Sequence, residues 1–332
     1  FSVWKSEWDT HDIIHTFNTV PCTHKPWIVT TEATLPMLDG DATDQTIATT
    51  RGLLLEDNCQ RIIFMSDHAR KCFLDFHKDW GRVSEVLKKF ELIYPNVRLD
   101  RAKAKTLSSK HCLHLAFVGN DWFRKGGIVI LRVAKLARNK NLPIRVHIVS
   151  HRSPNSYFRY QDISKYESDF NLLSLENINF HGGLPNTKVI ELLTNVDFQV
   201  LASLGDTFGY SILEGFSVGT PVIATSVGAI PELELNGKTG YLLNLPLTSY
   251  RSWQHSDYPD KSSNDYWEML DSVYNDLAKQ VIEILGDFWE SKNRSAKYEE
   301  LSAGAISRIK KAHDSEKIDR QLDKLYSICL NS

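Results

Sequence analysis

Much of what classifies this 332-residue chain is what it lacks. Its five cysteines, Cys22, Cys59, Cys72, Cys112 and Cys329, are odd in number and scattered, with no C-x-x-C pair. That excludes a disulfide-built miniprotein and gives no zinc signature; a reducing cytoplasm suits it best. With 11 prolines, 17 glycines and no short repeat, the chain is neither collagen-like nor low-complexity. No apolar run approaches the ~18 residues of a membrane span, and Phe1–Thr10 lacks the character of a signal peptide. Neither sign of charge dominates: 39 Lys+Arg stand against 41 Asp+Glu, a net -2. The footprint of a general nucleic-acid binder is therefore missing.

What is present is an ordinary globular composition, 42% hydrophobic and 24% charged. At roughly 150 residues per domain it implies two domains. The middle of the chain alternates apolar strands with amphipathic helices. Strands are predicted at Leu113–Gly119, Pro143–Ser150, Asn177–His181, Asp197–Ser203 and Thr220–Thr225. Helices are predicted at Gly126–Lys140, Tyr157–Leu175, Pro185–Asn195 and Tyr210–Val218. Such alternation means right-handed βαβ crossovers and a parallel sheet covered on both faces.

A weaker alternation precedes it, with strands at Asp12–Asn18, Pro26–Thr31, Arg61–Ser66 and Phe90–Tyr94. Polar Arg98–Lys110 reads as a linker. From Arg82 to Lys110 there are eight basic residues against three acidic ones; this is a solvated linker and helix face, or a patch facing anionic lipid or a polyanionic acceptor. Late in the chain, Leu270, Val273, Leu277, Val281 and Ile284 form a helical stripe read as core. A last helix is expected over Ser315–Cys329.

In open parallel sheets ligands gather at the carboxyl ends of the strands. Two loops there are chemically loaded. The first runs Gly119-Asn120-Asp121-Trp122-Phe123-Arg124-Lys125-Gly126-Gly127. Two cations before a helix N-terminus suit phosphate oxygens, although a capped turn with solvated cations fits as well. Its spacing matches neither G-x-G-x-x-G nor a Walker loop. The second loop runs Leu204-Gly205-Asp206-Thr207-Phe208-Gly209-Tyr210-Ser211 and leads into Glu214. A carboxylate accepts from vicinal hydroxyls, so Asp206 and Glu214 could hold sugar rings on either side of a phosphate. Asp206 reads equally as a helix cap. Glu214 sits among Ile212, Leu213 and Phe216, where a solvated face is not expected. His11-x-x-x-His15 and His111-x-x-His114 have metal-like spacing but no third ligand nearby, so no metal site is expected.

Over Asp197–Gly240 the chain resembles the nucleotide-sugar-binding half of the group 1, or family 4, retaining glycosyltransferases of GT-B fold. The matching positions are Phe208, Gly209, Glu214, Gly219, Pro221, Val222, Ile223, Ala224, Gly228, Pro231, Glu232 and Gly240. The likeness extends back through Ile178–Leu184 to Leu113–Gly127.

This resemblance implies an α/β architecture of two Rossmann-like domains whose parallel sheets face a central cleft. A short or truncated N-terminal domain spans 1–105, a donor domain 106–300, and a C-terminal helix at 301–332 packs back on the first. A chain beginning at Phe1 rather than Met fits a missing start. The resemblance implies a cytoplasmic hexosyltransferase, without metal or cofactor, taking a nucleotide diphosphate sugar as co-substrate and a saccharide or glycolipid as acceptor. Glu214 would bind the ribose, Asp206 the donor sugar, and Lys125, with Arg124, the leaving diphosphate. Gly119, Asn120, His181, Gly182, Thr207, Phe208, Gly209, Tyr210 and Ser211 would line the donor. Three departures stand out: Asn120 where the family has Arg, Asp206 for Glu, and Thr31-Glu32 where a His is common. They motivate an alternative, a nucleotide-sugar-binding or scaffolding subunit without catalysis.

Overall fold

The computed structural model describes residues 11–35, 43–108, 111–151, 156, 158–233 and 235–330. Phe1–Thr10, Lys110 and Tyr157, on which readings above fall, lie outside the described residues. The chain forms two units, Phe1–Asn96 with His313–Ser332, and Val97–Ala312.

The first unit contains β1 (Ile14–Phe17), β2 (Trp27–Thr31), α1 (Asp44–Leu55), β3 (Cys59–Phe64), α2 (Asp67–Phe76) and β4 (Phe90–Leu92). Its four strands pair in parallel in the order β1-β2-β3-β4. β2 is a Trp-Ile-Val-Thr-Thr run because both its faces are covered. Trp27 and Val29 join Ile62 and Phe64 in a core with Leu54 of α1 and Phe73 of α2. The alternate residues Ile28 and Ile63 pack against Ile318, Leu325 and Cys329 of the C-terminal helix, Ser315–Leu330. Each fully buried side chain of this size contributes about 1.5–3 kcal/mol.

The second unit contains β5 (Leu113–Val118), α3 (Gly127–Asn139), β6 (Ile144–Val149), β7 (Ile178–Gly182), α4 (Asn186–Asn195), β8 (Phe198–Leu201), α5 (Tyr210–Ser217), β9 (Val222–Thr225), β10 (Gly240–Leu243), α6 (Asn264–Glu290) and α7 (Arg294–Arg308). Its parallel sheet runs β10-β9-β8-β5-β6-β7. Chain order reverses between β5 and β8, so the loops leaving those two strands diverge and leave a crevice.

Two expectations need correction. The stretch read as a linker is fastened to the second unit over its described part. The amides of Asp100 and Arg101 both donate to the Ser217 carbonyl at 3.1 Å. Lys105 is buried, and its Nζ donates to the Leu193 carbonyl at 3.1 Å and to Thr220 Oγ1 at 2.9 Å. The continuous helix expected over Tyr157–Leu175 is instead three short turns, Ile163–Tyr166, Glu167–Phe170 and Asn171–Ser174. Asp162 turns its carboxylate on the Ser164 amide and hydroxyl, a local bond that competes with helix continuation. Buried Phe158, Tyr160 and Tyr166 and the Arg132–Asp169 ion pair then fix the path.

Candidate active site

The crevice is built by the two loops singled out in sequence. After β5, Asp121 caps the short turn Trp122–Lys125 by accepting from the Arg124 amide at 3.3 Å. The same carboxylate takes Arg124 Nε at 2.6 Å, while Arg124 Nη1 donates to the Gly205 carbonyl at 2.8 Å. The Leu204 amide returns a bond to the Arg124 carbonyl at 2.8 Å. Arg124 thus bridges the two loops.

Lys125 points to the other side of that turn. Its Nζ donates to Asp206 Oδ2 at 3.0 Å, with the Asp206 side chain only 8% exposed. Asp206 Oδ1 accepts from the Gly209 amide at 3.2 Å. Asp206 therefore caps the entry to α5, one of its two readings, and also faces a cation. Gly209 enters the helix at φ 83°, in the left-handed region.

The second loop is buttressed from behind. Gly228 lies so close that a Cβ there would stand 2.0 Å from the Asp206 carbonyl oxygen. Its neighbour Ala229 donates to the Thr207 carbonyl at 3.0 Å, and the Trp253 amide to the Leu204 carbonyl at 2.7 Å. Phe208 is buried with its ring 5.7 Å from the exposed ring of Tyr210. The Ser211 hydroxyl is buried without a hydrogen-bond partner.

Glu214, one turn into α5, accepts from Asn186 Nδ2 at 2.6 Å. Burial pushes its carboxyl above the usual carboxylate range, and Asn186 and the Lys125 charge pull it back down. The structure thus joins Lys125 to Asp206 and links Lys125 electrostatically to Glu214. Gly119 follows β5 with its amide on the Val149 carbonyl at 3.1 Å, and Asn120 is exposed at the turn. His181 and Gly182 end β7, and His181 bonds to His147.

Sequence reasoning missed Asn186, Asp121 and the Gly228–Ala229 support. The Asp-x-x-Arg spacing was a readable signal for Asp121. Asn186 had none beyond its place after Pro185 at a helix start.

Two parallel α/β units, the second reversing at its first strand, have the fold of the GT-B glycosyltransferases. A glycosyltransferase from Rickettsia africae superposes with a TM-score of 0.65 at 15% identity, covering 96% of this chain and 77% of that one. Anabaena HepE, solved in complex with UDP-glucose, gives 0.63 at 15% identity over 95% and 78%. Within that fold, residues 113–247 match the family model of the group 1 glycosyl transferases. The D-inositol 3-phosphate glycosyltransferase of Mycobacterium marinum is 23% identical over 235 residues, 68% of this chain and 47% of that protein. The N-acetyl-alpha-D-glucosaminyl L-malate synthase of Bacillus anthracis is 46% identical over 54 residues, 16% of this chain and 14% of that protein. The chain spans half or less of the length of these curated relatives.

Proposed function

We infer that the protein is a glycosyltransferase that moves a sugar, a hexose by preference, from a nucleotide diphosphate sugar to a saccharide or glycolipid acceptor. The observation that carries this reading is the Lys125–Asp206 pair at 3.0 Å, set at the reversal of the sheet with the Lys125 charge acting on Glu214 of the next helix. A cation, a helix N-terminus and two carboxylates in one crevice match the charge pattern of a nucleotide diphosphate sugar.

The barrier to such a transfer is dominated by negative charge growing on the leaving diphosphate. Lys125 and the amides opening α5 stabilise that charge in fixed positions, which supports a reaction without a metal. Lys125 exchanges Asp206 for the phosphate as donor binds, and this frees the Asp206 carboxylate for the sugar hydroxyls. Glu214, held by Asn186, takes the ribose hydroxyls; Gly119, Tyr210 and Ser211 complete the seat. The acceptor oxygen then bonds to the anomeric carbon as the bond to the diphosphate breaks. The acceptor proton passes to the departing phosphate, with retention and no protein nucleophile. On this reading the reaction runs in the cytoplasm; with Lys89 and Lys105 of the Arg82–Lys110 stretch buried, a peripheral contact with anionic lipid would rest on exposed residues such as Lys88 and Lys103. No described helix is long and apolar enough to cross a membrane.

One observation favours the non-catalytic reading. Asn120 stands where the family has an Arg, and Arg124, four residues on, is engaged by Asp121 and Gly205. Incubation with UDP- and GDP-sugars and measurement of free nucleotide separates the two readings. Catalysis predicts nucleotide release by the native chain and loss of at least about 10²-fold in Lys125→Ala and Glu214→Ala with the fold intact. Binding without release overturns it.

A further inference from the structure

Three histidines on neighbouring strands of the second unit meet one another. His114 Nδ1 lies 3.2 Å from His147 Nε2, and His147 Nδ1 lies 3.2 Å from His181 Nε2. The ring centres are 5.5 Å apart at both steps and the planes are tilted by 25° and 12°. That separation is the N···N distance plus one ring radius at each end, so the rings meet end to end and not face to face. The strand register explains the diagonal: His114 is opposite Arg145 and His147 opposite Asn179, so each histidine is two residues further along its strand.

A metal does not fit between these rings. A transition metal stands about 2.0–2.1 Å from each imidazole nitrogen, so head-on nitrogens would need roughly 4 Å. The described residues hold no metal-competent group of three His, Cys, Asp or Glu. A hydrogen does fit, and counting hydrogens gives the chemistry. Three neutral imidazoles carry three N–H over six nitrogens. Each of the two contacts holds one hydrogen, which leaves one outer nitrogen protonated and the other bare. One added proton fills the bare end and leaves both contacts intact. A further proton forces two hydrogens into one contact and breaks it.

We propose that His114, His147 and His181 form a single proton-binding site that accepts one proton intact and, on taking a second, opens and releases the end of β7 with the turn that leads to Asn186. β7 is the edge strand, held on one side only by β6. At His181 its pairing slips between Ile148 and Val149, and the Ser150 amide then holds the Gly182 carbonyl at 2.9 Å. Four residues on, Asn186 grips Glu214. Opening the site therefore loosens the support of the Glu214 carboxylate. The charged groups on the packed elements are Arg145 on β6, Asp197 at the start of β8, whose Oδ2 accepts from the His114 amide at 2.8 Å, and the Lys188–Glu191 pair of α4 at 2.7 Å. Burial, with the His114, His181 and Arg145 charges behind it, lowers His147 to about 4. The proposal stands independently of the glycosyltransferase reading.

The test uses the full chain in chelator, following imidazole nitrogen shifts and amide exchange from pH 8 to 4. In the native chain the three rings respond together to the first proton. Protection over residues 178–186, with exchange normalised to the unfolded-chain rate at each pH, falls only with the second proton, by about tenfold per pH unit, the dependence of a one-proton opening. In His147→Leu the outer rings respond separately and the exchange step disappears. If that variant does not fold, His181→Leu leaves the His114–His147 contact and removes the same exchange step. Independent ring titrations in the native chain, unaltered at His114 and His181 by His147→Leu, overturn the proposal. So does stoichiometric zinc binding at the three rings when chelator is removed.

Discussion

Replacing Gly228 by Ala tests whether the loop carrying Asp206 must be held to sub-ångström tolerance. Gly228 sits at φ 50°, and a Cβ there would stand 2.0 Å from the Asp206 carbonyl and 2.8 Å from that of Thr207. Ordinary contact begins near 3.4 Å, so the backbone under Asp206 must retreat by 3.4 − 2.0, about 1.4 Å. A 1 Å misplacement of a reacting group costs roughly 10²-fold in rate. The left-handed backbone adds about 1–2 kcal/mol of strain for any side chain. Gly237→Ala separates these effects: its φ is 78°, yet nothing lies within 4 Å of the added carbon. Nucleotide release and thermal unfolding should be measured on both variants. Gly237→Ala should lose stability alone, whereas Gly228→Ala should lose about 10²-fold in release and about 1–3 kcal/mol more stability from the overpacking. Equal activity in the two variants refutes the claim that this close approach positions Asp206.

Asp169→Ala removes a carboxylate that grips buried Arg132 at 2.8 and 2.7 Å, leaving Asp271 as its remaining acid. Unfolding of the second unit should lose about 3 kcal/mol, roughly 6–12 °C in melting temperature, and an unchanged midpoint refutes the buried pair's role. His77, its ring nitrogens on the Leu35 carbonyl and Arg51, is lowered to about 4 by burial. Because its unfolded value is near 6.5, the unfolded chain binds the proton first, so stability is full above pH 6.5 and falls as pH drops toward 4. Urea midpoints from pH 7 to 4 should fall less steeply in His77→Gln than in the native chain; parallel slopes refute the assignment.

The strands were legible because each is a short apolar run bounded by turn residues, and β2, β5, β8 and β9 owe those runs to cover on both faces. The helices within the first hundred residues were not. α1 reads Asp-Gln-Thr-Ile-Ala-Thr-Thr-Arg-Gly-Leu-Leu-Leu, with poor helix formers and only Thr50 and Leu54 buried, so packing and not propensity decides it. Lys125, Asp206 and Glu214 were visible as charges out of place in glycine-rich or apolar surroundings. Asn186 and the histidine contacts were not, since they join residues 28, 33 and 34 positions apart, the first through two neighbouring helices and the others through strand register.

Arg124 and Lys125 look interchangeable in sequence, two cations before a glycine pair, and tertiary structure gives them different work. The turn sends Lys125 to Asp206 and Arg124 to Asp121 and Gly205, so the charge facing the crevice rests on Lys125. On this geometry Arg124 is a positioning residue whose value lies in two directed bonds and not in its charge. A guanidinium spans two acceptors in a fixed fork, whereas an ammonium is a point charge on a flexible stem. Arg124→Lys should therefore behave like Arg124→Ala: both should lower the melting temperature and reduce nucleotide release by a similar factor. Hydrogen bonds involving a charged group contribute about 1.5–3 kcal/mol each, enough to read in either assay. If Arg124→Lys instead restores nearly native release while Arg124→Ala abolishes it, the charge itself reaches the phosphate. The bridge between the loops would then be secondary.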